Sequence, residues 1–289
     1  MLTIRALDEL RKQVATPHGA GRTVAFVPTM GFLHEGHLAL VRRARRLGAF
    51  TVVSIFVNPS QFGPGEDLER YPRDLDRDSA LLSELGVDVL FLPATQDVYP
   101  VGCSTWVVVE GITEGLCGAT RSVHFRGVAT VVVKLLNMVQ PDVAYFGRKD
   151  FQQLRVVEMA VRDLNMPVKI RGCATVRDTD GIALSSRNEF LSGKERSRAR
   201  AIPETLAEAA RRYVGGERRA GTILEGLGAK LGAAADAVDY FGLFDAGTLA
   251  PIEDEEQVSD EPLVALALHI GRTRLIDNIQ LGVDEPPDV

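Results

Sequence analysis

Cysteine is scarce in this chain: three residues, Cys103, Cys117 and Cys173, none of them in a CxxC pair. An odd and scattered set of that kind fits a reducing compartment better than a disulfide scaffold or a zinc site. No apolar run approaches the roughly 20 residues of a membrane-spanning helix. The opening stretch, MLTIRALDELRKQV, alternates apolar and charged residues and lacks a signal-peptide core. These absences lead us to expect a cytoplasmic protein with no membrane partner. Basic residues are not in excess either, with 33 Lys and Arg against 39 Asp and Glu and a formal net charge of -6. That balance, without a basic or aromatic tract, argues against nucleic acid as a partner. An anionic ligand would need a local cluster of basic groups, so such a cluster is informative.

What is present is the composition of an ordinary globular protein, 45% apolar and 25% charged over 289 residues. That length suits two domains or one large α/β domain. Apolar runs at residues 24–28, 51–57, 87–92 and 143–146 read as strands. They are continuous rather than alternating, as in parallel strands buried on both faces. Helical patterns lie among them at 38–47, 75–85, 128–139 and 151–164. This order predicts an α/β fold, a Rossmann-like doubly wound parallel sheet. A further apolar run at 105–110 reads as a strand outside the alternation. The texture changes after residues 171–176. Two helices are expected over 194–235, with a break at Gly215 and Gly216, then a small antiparallel sheet from 238–244, 263–270 and 273–279. We therefore expect a domain over 1–175 and a smaller C-terminal α+β lid domain over 176–289, with a frayed acidic, Pro-rich tail at 284–289.

Five segments carry candidate chemistry. Residues 28–37, PTMGFLHEGH, join the first long strand to a helix, and such a loop opens at the carboxyl edge where doubly wound sheets bind ligands. His34 and His37 share a face of the helix's first turn, whose N–H groups favour phosphate. A zinc reading lacks a third protein ligand at metal spacing. The second segment, with Asn58 and Gln61, follows the next strand and offers amides that both donate and accept. The third holds Arg121, His124 and Arg126 ahead of an apolar helix, where basic groups are opposed by the helix dipole unless an anion is present. The fourth, Gly147-Arg148-Lys149-Asp150, repeats the strand-to-helix pattern, with Lys149 as a mobile cation and Gln153 one turn on. The fifth, residues 180–188 with Ser185, Ser186 and Arg187, has the hydroxyls and cation a polyphosphate requires. Local chemistry thus indicates polyphosphate binding, and no more.

With these residues in hand, the chain closely resembles the pantothenate synthetase family over nearly its whole length. The likeness rests on FVPTMGFLHEGH, SIFVNPSQFG with the following EDLERYPRDLDRD, HFRGVATVV, FGRKDFQQ, GIALSSRN and GRTRLIDNI. The HEGH segment is a variant of the HIGH-type motif of the nucleotidylyltransferase superfamily, and SSRN is similar to its KMSKS-type loop. Two departures stand out. Ser122 and Val123 lie where the family usually has proline and glycine, and Arg148 lies where glutamate or glutamine is usual.

The resemblance implies an enzyme that condenses pantoate with β-alanine, using ATP and Mg²⁺, through a pantoyl adenylate. Met30, Gly31, Phe32, Leu33, His34, Glu35, Gly36 and His37 would contact ATP. Gly147 to Asp150, Val176, Leu184, Ser185, Ser186 and Arg187 would complete the nucleotide contacts. His37, His34, Lys149 and Arg187 would be catalytic. Gln61 and Gln153, with Asn58, Arg121 and His124, would hold the small substrates, and Asp78 is the candidate for a metal contact. A homodimer is implied as well. Neither a G-x-S-x-G motif nor a distinctive cysteine supplies a protein nucleophile, which suits a reaction whose nucleophiles are both substrates. Three alternatives use the same local signals. They are a nucleotidylyltransferase passing AMP or CMP to a phosphorylated acceptor, a non-catalytic nucleotide sensor, and a tRNA synthetase fragment. The first lacks a need for the Asn58, Gln61 and Gln153 set, the second for intact histidines and Lys149, and the third is opposed by the acidic charge.

Overall fold

The computed structural model describes all residues except 47, 64–67 and 259. The end of the helix expected over 38–47 and the Glu66–Asp67 start of the EDLERYPRDLDRD motif lie outside the described residues. The chain divides into two compact units. The first comprises residues 1–114, 118–148 and 153–173, and the second 115–117, 149–152 and 174–289.

In chain order the elements are β1 (Leu2–Ile4), α1 (Leu7–Gly19), β2 (Val24–Thr29), α2 (Glu35–Arg45), β3 (Phe50–Ile55), α3 (Leu75–Glu84), β4 (Val89–Phe91), α4 (Thr95–Val98), α5 (Cys117–Thr120), α6 (His124–Val139), β5 (Val143–Gly147), α7 (Phe151–Asp163) and β6 (Lys169–Cys173). There follow α8 (Gly193–Ala199), α9 (Ala201–Val214), α10 (Ala220–Leu224), α11 (Leu227–Ala234), β7 (Ala237–Phe244), β8 (Leu263–Ile270) and β9 (Thr273–Gln280). Strands β1 to β6 form one sheet in the order β1-β4-β3-β2-β5-β6, every pairing parallel. Winding runs outward from β2 in both directions, so the order reverses between β2 and β5. The expected doubly wound fold is present.

The period of two in each strand sends alternate side chains into two cores. Val24 and Phe26 of β2, with Val52 and Phe146, pack on α1, α6 and α7. Ala25 and Val27, with Val53 and Tyr145, pack on α2 and α3 through Leu38, Val41 and Leu82. Both faces are buried, which is why these strands read as unbroken apolar runs. In the second unit β7, β8 and β9 form the expected antiparallel sheet in that order, covered by apolar residues of α8, α9, α10 and α11.

Three expectations are corrected, and two elements stand where none was predicted. Residues 105–110 form no strand: the Val107 N–H donates to the Thr130 hydroxyl at 3.0 Å, and Val108 is 61% exposed. An apolar run without a ladder partner stays irregular. The 194–235 stretch holds four helices rather than two, since breaks follow Ala199 and Leu224 as well as Gly215. The chain end is not frayed, because Pro287 is buried and Gln280 and Asp284 bond each other in both directions. Finally β1 and α1, at the alternating N-terminal stretch, extend the sheet edge and its helical layer. Among the described residues no helix is long and apolar enough to cross a membrane.

Candidate active site

The carboxyl ends of β2, β3 and β5 each run directly into one of the segments singled out by sequence: 30–34 after β2, 56–61 after β3 and 148–150 after β5. The first of these is tightly held. Asp78, 1% exposed, accepts the N–H groups of Phe32 at 2.7 Å and Leu33 at 2.8 Å. Phe32 sits at φ +51°, a left-handed conformation that a bulky residue adopts only when its surroundings enforce it. The Asp78 carboxylate supplies that enforcement.

This loop delivers His34 as the N-cap of α2, with extended backbone, and His37 three residues later. His37 Nδ1 accepts the His34 backbone N–H at 3.3 Å, and the two rings lie 4.1 Å apart. A nitrogen that accepts carries no proton, so in the neutral ring the His37 proton resides on Nε2. His37 therefore offers an N–H donor at a helix N-terminus, where the backbone also favours anions. Glu35, in the same turn, pairs with Arg42 on the solvent side.

In the second segment, Asn58 is 1% exposed and wholly engaged. Its Nδ2 donates to Gln61 Oε1 and to the Gly127 carbonyl, both at 3.1 Å. Its Oδ1 forms a triangle with the Ser60 and Tyr99 hydroxyls, with edges of 2.8 to 2.9 Å. Burial pushes the Tyr99 phenol above its ordinary value, so it stays a donor. Because Asn58 donates to Oε1, the Gln61 amide must present Nε2, which donates to Met30 Sδ at 3.1 Å. His124 Nδ1 lies 3.0 Å from the Gln61 carbonyl, which can only accept, so that nitrogen is the donor. Gly127 lets α6 approach this closely, since a Cβ there would lie 2.4 Å from the Ser60 carbonyl oxygen. Sequence reasoning missed Ser60 and Tyr99. A hydroxyl 41 residues from Asn58 leaves no local signal.

Arg121 is half-buried in the turn before α6, and its carbonyl accepts the His124 N–H at 3.0 Å. The departures at Ser122 and Val123 fall in this turn, which α6 follows without interruption. The stem of Arg148 runs beside Gly172 of β6. Gln153 is half-buried in the first turn of α7.

The remaining predicted residues lie in the second unit. Lys149 Nζ lies 4.0 Å from Asp150 Oδ1, and its backbone carbonyl accepts from Asn278 Nδ2 at 2.7 Å. Gln152 is used structurally, accepting from the Cys117 N–H at 3.0 Å and donating to the Gly115 carbonyl at 2.9 Å. Val176 and Leu184 pair across a short hairpin through the Leu184 N–H. Ser185 then caps a single 3-10 turn, Ser186–Phe190, by accepting from the Arg187 N–H at 3.3 Å. Among the described residues no group of three or more His, Cys, Asp or Glu side chains forms a metal cage. A divalent cation carried by phosphates fits that donor set, whereas the Asp78 carboxylate expected as its contact is buried with both oxygens engaged by the Phe32 and Leu33 N–H groups.

A doubly wound parallel sheet with polar, histidine-bearing loops at its carboxyl edge defines an α/β protein that binds small molecules at that edge. The sequence model of the family described as Pantoate-beta-alanine ligase matches residues 2–280. A pantothenate synthetase of Moorella thermoacetica is 47% identical over 286 residues, 99% of this chain and 100% of that protein. The crystal structure of the pantothenate synthetase from Thermus thermophilus matches with a TM-score of 0.89 at 46% identity, covering 97% of this chain and 99% of that one. A pantoate-beta-alanine ligase from Francisella tularensis, complexed with beta-gamma ATP and beta-alanine, matches at 0.78 and 31% identity over 97% of each chain. The chain belongs to the pantoate-beta-alanine ligase family and is an enzyme of the ligase class.

Proposed function

We propose that this enzyme condenses pantoate with β-alanine in two half-reactions driven by ATP. A pantoate carboxylate oxygen attacks the α-phosphorus, the bond to the β-phosphate oxygen breaks, and pyrophosphate leaves. The β-alanine amine then attacks the acyl carbon of the pantoyl adenylate. The carbon–oxygen bond to phosphate breaks, AMP leaves, and the amine proton passes to solvent. The observation that carries this reading is the His34–His37 pair at the start of α2, with its Nε2–H donor fixed by a backbone bond. Family membership supports it, as do the beta-gamma ATP and beta-alanine complexed with the Francisella ligase.

His34 and His37 donate to phosphate oxygens as charge builds there, and donors aimed at developing charge are the main device of such catalysis. Met30 to His37 contact ATP. Gly147, Arg148, Lys149 and Asp150, with Val176, Leu184, Ser185, Ser186 and Arg187, hold the triphosphate and the departing pyrophosphate. Lys149 and Arg187 carry the positive charge. Gln61 and Gln153 bind pantoate. Asn58 and His124 act on substrate through Gln61, to which Asn58 donates from Nδ2 and His124 from Nδ1, and Arg121 contributes positive charge nearby in sequence. Mg²⁺, when bound, would neutralise phosphate charge and be held by the nucleotide, since Asp78 already holds the Phe32 and Leu33 N–H groups. We further propose a cytoplasmic homodimer, and a lid role for residues 176–289.

The test is product stoichiometry. AMP should appear only when ATP, pantoate and β-alanine are all present, one for each amide formed. AMP transfer onto a phosphorylated acceptor, without any need for β-alanine, would overturn the reading.

A further inference from the structure

The GRTRLIDNI stretch, so far without a role, contains two adjacent polar residues that are both buried: Asp277 and Asn278 of β9. Successive strand residues face opposite ways. Asp277 falls in the row of Leu275 and Ile279, which belong to the second unit's apolar core. A carboxylate there is costly unless it is paired, and burying such a pair seldom adds stability by itself. Its partner is Arg177, whose guanidinium donates to both carboxylate oxygens at 2.6 and 3.1 Å.

Arg177 opens the hairpin that leads into Ser185, Ser186 and Arg187. The same guanidinium donates to the Gly181 carbonyl at 3.0 Å, across the turn of that hairpin. Gly181 stands at φ +78°, and a Cβ there would lie 2.8 Å from the Asp288 carbonyl oxygen. The turn is gripped on its other side by Arg196, which donates to Asp178 at 2.6 Å and to Asp180 at 2.7 Å. On the opposite face of β9, Asn278 Nδ2 donates to the Lys149 carbonyl at 2.7 Å. The two neighbours are themselves joined, because Asp277 Oδ1 accepts the Asn278 backbone N–H at 2.8 Å. β9 is an edge strand, and this bond uses a donor that no further strand takes up.

We propose that Asp277 and Asn278 are positioning residues for the reaction: one buried pair sets both the Lys149 main chain and the hairpin carrying Ser185, Ser186 and Arg187. The proposal rests on the assignment of Lys149 and Arg187 to the triphosphate. A buried ion pair at this point thus gives geometric definition to two cationic segments rather than stability.

A double-mutant cycle tests it. Asn278→Ala should lower kcat about 10-fold, the equivalent of one hydrogen bond's worth of misplacement, and raise the KM for ATP while leaving that for pantoate unchanged. In a Lys149→Ala background the same substitution should change kcat by less than about 2-fold, since residues acting as a unit are non-additive. Full additivity, or equal effects on both KM values, overturns the proposal. If Asn278→Ala does not fold, Asn278→Asp, which keeps the shape and removes the donor, replaces it in the same cycle, and the same outcomes support or overturn the proposal. A Lys149→Ala enzyme with normal turnover would instead refute the assignment of Lys149, so the two failures are distinct.

Discussion

At the scale of single residues, the site is a matter of which nitrogen or oxygen donates and which accepts. His37 Nδ1 accepts the His34 backbone N–H, which places the proton of the neutral ring on Nε2. Removing one aligned donor from a developing charge typically costs about 10²–10³ in rate. Lys149→Ala and His37→Ala should each lower kcat by roughly that factor, with circular dichroism of both variants unchanged. A folded Lys149→Ala enzyme at full rate would remove the lysine from the mechanism. Tyr99→Phe probes the triangle with Ser60 and Asn58. We expect a stability loss of about 1 kcal/mol in urea, the usual net value of a hydrogen bond, together with a raised KM for pantoate as the Gln61 amide loosens. An unchanged KM would dissociate the triangle from Gln61. His34, His37, Lys149 and the Ser185–Arg187 group suggest anion binding by residue type and spacing, and that assignment is part of the proposal. The role of Asn58 was not legible. An amide reads the same whether it faces substrate or protein, and its partner Gly127 lies 69 residues away.

At the scale of elements, periodicity located every long strand that is buried on both faces. It misread residues 105–110 because an apolar run predicts burial or pairing, whereas Trp106 there is 42% exposed and stands under Arg126 instead. It passed over β1, which is only three residues long, and α1, whose exposed positions carry charge and dilute the pattern. Helix α6 packs tightly on residues 58–61, at Gly127. Gly127→Ala would drive a methyl to 2.4 Å from the Ser60 carbonyl oxygen. Since that neighbour is backbone and cannot rotate aside, we expect a loss of about 1–3 kcal/mol, the range of overpacking. Calorimetry would show it as a lowered Tm. A variant as stable as the parent would mean that α6 can shift away from the loop.

At the scale of the whole molecule, a net charge of -6 accompanies a chemistry built on anions. The positive charge that ATP requires has to be local, and the proposal assigns it to Lys149 after β5 and to Arg187. The absence of a protein metal cage among the described residues has its own consequence. Chelation of divalent cations should stop turnover, with recovery on adding Mg²⁺, yet leave the Tm of the nucleotide-free enzyme unmoved. A Tm that fell on chelation would point to a structural cation instead. The central claim is that pantoate is activated before β-alanine takes part. It is tested most directly by mixing excess enzyme with ATP and pantoate, omitting β-alanine, and analysing the quenched mixture by mass spectrometry. The account predicts pantoyl adenylate and pyrophosphate in equal amounts set by the limiting substrate, with the adenylate alone converted to amide and AMP when β-alanine is added. Pyrophosphate release that waits for β-alanine, with no adenylate in its absence, would contradict it.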